Sequence, residues 1–140
     1  MTSIRTLVDF AGLWTLQRQI NDHRSGTSGV FNGTASLTPV NNGLAYLETG
    51  SLQMEGHPPM TAERKYEWID DGPCIQVLFE DGRIFHRFDP NAPRPCAEHF
   101  CDPDQYRATY DFGSWPEWTT IWDVVGPRKS YQLTSRYSRG

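Results

Sequence analysis

Apolar and polar residues alternate with a period of two through at least eight short segments of this chain, and the apolar side also carries Arg18, Glu48, Arg64, His86 and His99. A period of two places every second side chain on one face of an extended strand. An ion on an interior face costs roughly several kcal/mol unless a partner or hydrogen bonds compensate it. The pattern therefore predicts strands that wrap a polar-lined interior, a cavity rather than a solid apolar core.

Strands are expected near residues 12–22, 28–38, 44–55, 61–69, 74–80, 83–89, 96–101, 106–113, 117–125 and 129–138. The connections are short and carry turn chemistry: Asn41-Asn42-Gly43, Asp70-Asp71-Gly72-Pro73 and Asp81-Gly82, the last a two-residue hairpin that calls for positive φ. Short loops make sequence neighbours antiparallel neighbours. A meander of eight to ten such strands either closes or leaves two sticky edges, so the fold class predicted is an all-β, antiparallel up-and-down barrel. Only Ser3 to Ala11 has helical spacing, with Ser3 as cap, Ile4, Leu7, Val8 and Ala11 on one face, and Gly12 as stop. The three prolines between Pro90 and Pro95 mark a candidate flap or rim loop.

The pleat fixes the expected inward set. It includes Trp14, Leu16 and Arg18; Phe31, Gly33 and Ala35; Tyr46, Glu48 and Gly50; Arg64, Tyr66 and Trp68. It continues with Val77 and Phe79; Ile84, His86 and Phe88; Ala97, His99 and Cys101; Tyr110 and Phe112; Trp118, Thr120 and Trp122; and Ser135 and Tyr137. The opposite set, with Gln17, Thr34, Glu63, Lys65, Arg87, Glu98, Arg107 and Asp123, is polar. A slip of one residue would exchange the two sets and bury charges, so the register is strongly specified.

The 140 residues are expected to form one domain, able to bury roughly two-thirds of the unfolded surface. A net charge of −4 with no basic stripe argues against nucleic acid as partner. No segment has the length and apolarity of a membrane span, and the first residues lack the pattern of a secretory signal. Three cysteines, an odd number without a CxxC pair, suit a reducing compartment, and a cytoplasmic location is the expectation.

The sequence Gly12-Leu13-Trp14 after a short helix, followed by an antiparallel meander ending in Arg-containing strands, resembles the kernel of the lipocalin and calycin barrels. That resemblance implies that Trp14 seals one end of the barrel and that Arg136 or Arg139 packs on it. A resemblance over nearly the whole chain is carried by Gly12-x-Trp14-x-Leu16-x-Arg18-x-Ile20, Gly29-x-Phe31-x-Gly33-x-Ala35, Tyr46-x-Glu48-x-Gly50 and Arg64-x-Tyr66-x-Trp68. It continues through Phe79-x-Asp81-Gly82-Arg83-x-Phe85-His86, His99-x-Cys101-x-x-Asp104-x-Tyr106 and Gly126-Pro127-Arg128-Lys129-x-Tyr131. These motifs are similar to the bacterial family catalogued as domain of unknown function 6314. The resemblance implies a calycin-like barrel and brings no activity with it.

Within the inward set, Glu48 is expected between the guanidiniums of Arg18 and Arg64, whose planar forks suit a carboxylate. Two readings stand side by side. In one, the three ions form a self-satisfied network that fixes register; in the other, two cations against one anion leave a surplus charge for an anionic ligand. His86 and His99 would hydrogen-bond that ligand, while Tyr66, Trp68, Tyr110 and Trp122 would cover an apolar or aromatic body. Gly126-Pro127-Arg128-Lys129 reads as the last turn.

The partner expected is a small anionic, partly aromatic molecule. The alternative is a cofactor-independent decarboxylase or cyclase using Arg18, Glu48, Tyr66 and His86. Haem, or zinc held by His86 and His99 with Cys101, is a further alternative, although no fourth ligand is evident and no cofactor is the expectation. A homodimer face on the outer wall is the last alternative, against an outer set without a large apolar patch.

Overall fold

The computed structural model describes residues 5–139. After a single 3-10 turn, Leu7–Phe10, ten strands follow: β1 (Gly12–Asp22), β2 (Thr27–Val40), β3 (Gly43–Met54), β4 (Met60–Asp71), β5 (Cys74–Phe79), β6 (Ile84–Phe88), β7 (Cys96–Cys101), β8 (Asp104–Ser114), β9 (Glu117–Val125) and β10 (Ser130–Ser138). All belong to one antiparallel sheet in the order β6-β5-β4-β3-β2-β1-β10-β9-β8-β7. The first and last strands pair, from Thr15 opposite Ser138 to Asp22 opposite Tyr131. The barrel is therefore nearly closed, and its seam lies in the middle of the chain, between β6 and β7.

No ladder spans the seam among the described residues; side chains seal it instead. Phe88 of β6 stacks on Tyr110 of β8 with ring centroids 4.2 Å apart, and His86 Nε2 lies 2.7 Å from the Tyr110 hydroxyl. Aromatic packing closes the interior at the seam, while the facing backbone edges of β6 and β7 are joined by no ladder.

The expected helix is shorter than its spacing suggested. Ser3 and Ile4 lie outside the described residues, and the turn starts at Thr6, whose backbone N–H donates to the Asp9 carboxylate at 2.8 Å. The apolar residues of this segment serve as a plug rather than a helix face. Phe10 is fully buried and meets Trp68, Phe88, Phe112, Trp115 and Trp118 edge-on. Trp14 donates its indole N–H to the Phe10 carbonyl at 2.9 Å. Of the two arginines expected to cover Trp14, Arg139 does so, with its guanidinium carbon 4.0 Å from the ring centroid and N–H bonds to the Ala11 and Asp9 carbonyls. Arg136 instead bonds Gln17 on the outer wall.

The Pro90–Pro95 loop belongs to this sealed end and is not a flap at the mouth. Pro90 and Pro95 are buried, and Arg5 bonds both the Pro90 carbonyl and Asn91. The strands run from this end toward loops such as that at Asp81-Gly82, where Gly82 takes the expected positive φ, +91°, but the connection between β5 and β6 is longer than the expected two residues, with the Phe79 N–H bonding the Arg83 carbonyl. On β1, burial fades along the same direction: Trp14 and Leu16 are fully enclosed, Arg18 is nearly so and Ile20 is half-buried.

The inward set holds apart from Arg64 and Cys101, which are exposed, and a local shift on β6. Ile84 is 59 % exposed, and Phe85 takes its place inside. The register jumps from Val77 opposite His86 to Leu78 opposite Ile84, so Phe85 is the extra residue of a bulge. Such a bulge resets the pleat by one position, which turns Ile84 out and Phe85 in.

Candidate functional site

At the barrel end opposite the Phe10 plug lies a cavity of about 90 Å³ that opens to the outside. Its lining includes eight of the residues singled out from the sequence: Arg18, Glu48, Arg64, Tyr66, Trp68, His86, Tyr110 and Trp122. His99 is not among them; it is half-buried on β7 and packs edge-on against Phe85 with centroids 5.2 Å apart. Cys101, expected inward, is exposed at the end of β7. Among the described residues, no three His, Cys, Asp or Glu side chains gather as a metal-holding group.

In the inner part of the cavity the ions are paired. Arg18 Nη1 donates to Glu48 Oε2 at 2.7 Å and Nη2 to Oε1 at 3.0 Å, while Nε donates to the Ser135 hydroxyl at 2.7 Å. Tyr46 donates to Glu48 Oε1 at 2.7 Å, and its oxygen lies 2.9 Å from that of Tyr137. With Tyr46 donating to the carboxylate, the Tyr137 hydroxyl is the donor to Tyr46. Glu48 thus accepts three hydrogen bonds while 2 % exposed. Burial alone would raise the Glu48 pKa, but the bonds and charge of Arg18 outweigh it and hold the carboxyl below its ordinary range. For Arg18, burial works against the charge and Glu48 outweighs it, so the guanidinium stays protonated.

Ser135, Tyr46 and Tyr137 complete this network; the inward set contained all three, and Ser135 and Tyr137 were given no role in it. The signal was present in the inward set, where hydroxyls two residues apart on one strand accompany the charges. What the pattern lacked was their reach across the barrel. Burial pushes the Tyr137 phenol up to about 12 and raises that of Tyr46 as well, so both keep their protons near neutral pH.

Arg64 occupies a different position. It stands opposite Glu48 in the β3–β4 ladder, yet its side chain is exposed, lines the mouth, and makes no hydrogen bond or ion pair among the described residues. The expectation of one carboxylate between two guanidiniums thus resolves into a closed pair inside and a free cation at the rim. Tyr66, Tyr106 and Tyr131 line the cavity beside it.

Two polar atoms of the lining residues are buried without a protein partner: Nδ1 of His86 and Nε1 of Trp118. Burial, with a smaller contribution from His99, lowers the His86 pKa to about 3, so the imidazole is neutral at ordinary pH. A neutral imidazole has one N–H and one lone pair, and Nε2 already faces Tyr110. Whichever tautomer forms, Nδ1 is left with an unused function, and the Trp118 indole is left with an unused donor.

Residues 10–139 match the model of a family described as a family of unknown function, DUF6314. A search of curated proteins gives no match. Among solved structures, the S-type phycobiliprotein lyase from Guillardia theta aligns with a TM-score of 0.67 at 9 % identity, covering 96 % of this chain and 90 % of that one. At such identity the likeness concerns the fold, a lipocalin-like barrel. No helix among the described residues is long and apolar enough to cross a membrane. The match over almost the whole length, on the strands that build the cavity, makes this chain a member of the DUF6314 family.

Proposed function

We propose that this barrel is a binding protein for a small molecule that carries an acidic group on a partly aromatic body. The observation that carries the reading is the pair of unpartnered polar atoms, His86 Nδ1 and Trp118 Nε1, on side chains that line an open cavity. A buried polar group without a partner costs about 1–3 kcal/mol, and a ligand that bonds it recovers that cost. Arg64 supplies the anion contact at the mouth, and its five donors fit a carboxylate or a sulfonate. Tyr66, Trp68 and Trp122 supply the apolar wall. Arg18 and Glu48 neutralise one another and act as the scaffold of the site.

The engagement of all of Glu48 favours binding over turnover, because a carboxylate held by three donors is a poor proton acceptor. The solved neighbour is named a phycobiliprotein lyase.

Titration with 1-anilinonaphthalene-8-sulfonate, followed by its fluorescence, tests the reading. Saturable binding to the native barrel is expected, weakened about tenfold in Arg64→Gln, the scale of one lost charge-assisted contact. Binding that Arg64→Gln leaves unchanged would remove the anion contact, and no binding of any acidic aromatic probe would overturn the proposal.

A further inference from the structure

Phe85 is the one lining residue that reaches the cavity by breaking the strand alternation. Its ring stacks on Trp122 of β9 at 5.1 Å and 13°, on Tyr66 of β4 at 5.6 Å and 23°, and on Phe79 of β5 at 4.6 Å and 24°. These partners stand on opposite sides of the seam, so one ring bridges two walls that no ladder joins. Phe85 is only half-buried, although six aromatic rings have centroids within 6.4 Å of its own.

We infer that Phe85 occupies the ligand's own aromatic slot, and that the cognate ligand carries a flat conjugated ring that displaces Phe85 and stacks on Trp122 and Tyr66. Three observations converge. The slot already holds a flat ring in near-parallel stacking, the arrangement that selects planar π-systems over saturated chains. The backbone that presents Phe85 is able to yield: it is a bulge on the last strand of the sheet, whose far side has no ladder partner, three residues after Gly82. Finally, the slot lies within one lining with Arg64, His86 and Trp118, so an acidic group and a polar edge of the same ligand meet partners while its ring takes the place of Phe85.

The sequence carries the same device. In Arg83-Ile84-Phe85-His86-Arg87-Phe88, strict alternation would turn Phe85 out with Arg87 and expose a large aromatic ring. The bulge buries it in part and exposes Ile84 instead. A ring held by a few stacking contacts is cheaper to expel than one packed in the core, where Phe88 and Trp118 have almost no exposure.

This inference rests on the cavity being a binding site, and the experiment separates the two. The affinities of 1-anilinonaphthalene-8-sulfonate and of decanoate, a saturated acid, are measured for the native protein, Phe85→Ala and Phe85→Trp. Emptying the slot removes the competition, so Phe85→Ala is expected to bind the naphthalene probe about tenfold tighter, the upper end of the worth of an aromatic pair. Decanoate should change little, and Phe85→Trp should weaken the naphthalene probe. Near-UV circular dichroism and Phe85→Leu check that the barrel is intact. Equal or weaker naphthalene binding in Phe85→Ala, with binding by the native protein retained, would overturn the displacement and leave the binding function standing. An equal gain for decanoate would overturn the preference for flat rings. Failure of every variant to bind either acid would overturn both.

Discussion

Arg18 and Glu48 meet through two short hydrogen bonds although β2 separates their strands and the direct ladder neighbours of Glu48 are Ala35 and Arg64. The inner face of β2 between them carries Phe31, Gly33 and Ala35, and the missing side chain at Gly33 leaves the diagonal open. Arg18 also lies over the Phe31 ring, 5.4 Å from its centroid, which braces the guanidinium on the way.

Removing one partner of this pair strands the other. Glu48→Leu is expected to lose about 3–5 kcal/mol of stability, because Arg18 is left charged and buried. The double variant Arg18→Met with Glu48→Leu should recover much of that loss. Urea unfolding of the three proteins checks this, and a double variant as unstable as the single one would show that the pair contributes more than its own charge balance.

Acid should weaken the fold in two separable windows. His86 has its folded pKa lowered to about 3, against about 6.5 when unfolded, so the unfolded chain binds more protons between those values. Its contribution is therefore fully present above about pH 6.5 and declines as pH falls toward 3, with a slope of at most about 1.4 kcal/mol per pH unit. The Glu48 pKa is also lowered, so its contribution is present above the ordinary carboxylate range and is lost as pH falls through the folded value. His86→Phe should flatten stability between pH 6.5 and about 5 and leave the lower limb in place. Unfolding free energy measured across pH tests this; an unchanged slope in His86→Phe would show that His86 is not buried neutral.

At the sealed end, Arg139→Ala should cost about 1–3 kcal/mol, from the lost stacking on Trp14 and two charge-assisted bonds to carbonyls. Lysine should not restore it, because one ammonium cannot cover the ring and reach both carbonyls. Thermal unfolding with near-UV circular dichroism of the tryptophans reads both effects.

Gly33→Ala should cost more than about 3 kcal/mol or prevent folding. The added methyl would collide with the Thr49 carbonyl and with Gly50 of β3, backbone atoms that have nowhere to go. Gly50→Ala meets the Asn32 carbonyl in the same way. A soluble Gly33→Ala protein with native unfolding behaviour would mean that the two strands part more easily than this packing indicates.

Much of the barrel could be read from the chain because a two-residue period speaks directly about faces. Trp14, Leu16, Tyr46, Glu48, Trp68, Val77, Phe88, Tyr110, Trp118 and Tyr137 are inside as their parity requires. Parity failed at Ile84 and Phe85, since a bulge inserts one residue without any local signature in composition. It left open which end of the barrel the three-proline loop covers, because such a sequence marks irregularity and not position.

What the sequence determined by itself was therefore the strand order, the inward set and the presence of charge inside the barrel. Alternation, short turns and the cost of buried ions are local or pairwise facts that one chain can express. Only the tertiary structure decided which arginine pairs with Glu48, because that choice depends on distances across the barrel and on the gap at Gly33. It also decided that Arg64 stands free at the mouth, that His86 and Trp118 keep unused polar atoms, and that Phe85 closes the seam. Each of these depends on how far a side chain reaches from a curved wall, and that distance exists only once the sheet has closed.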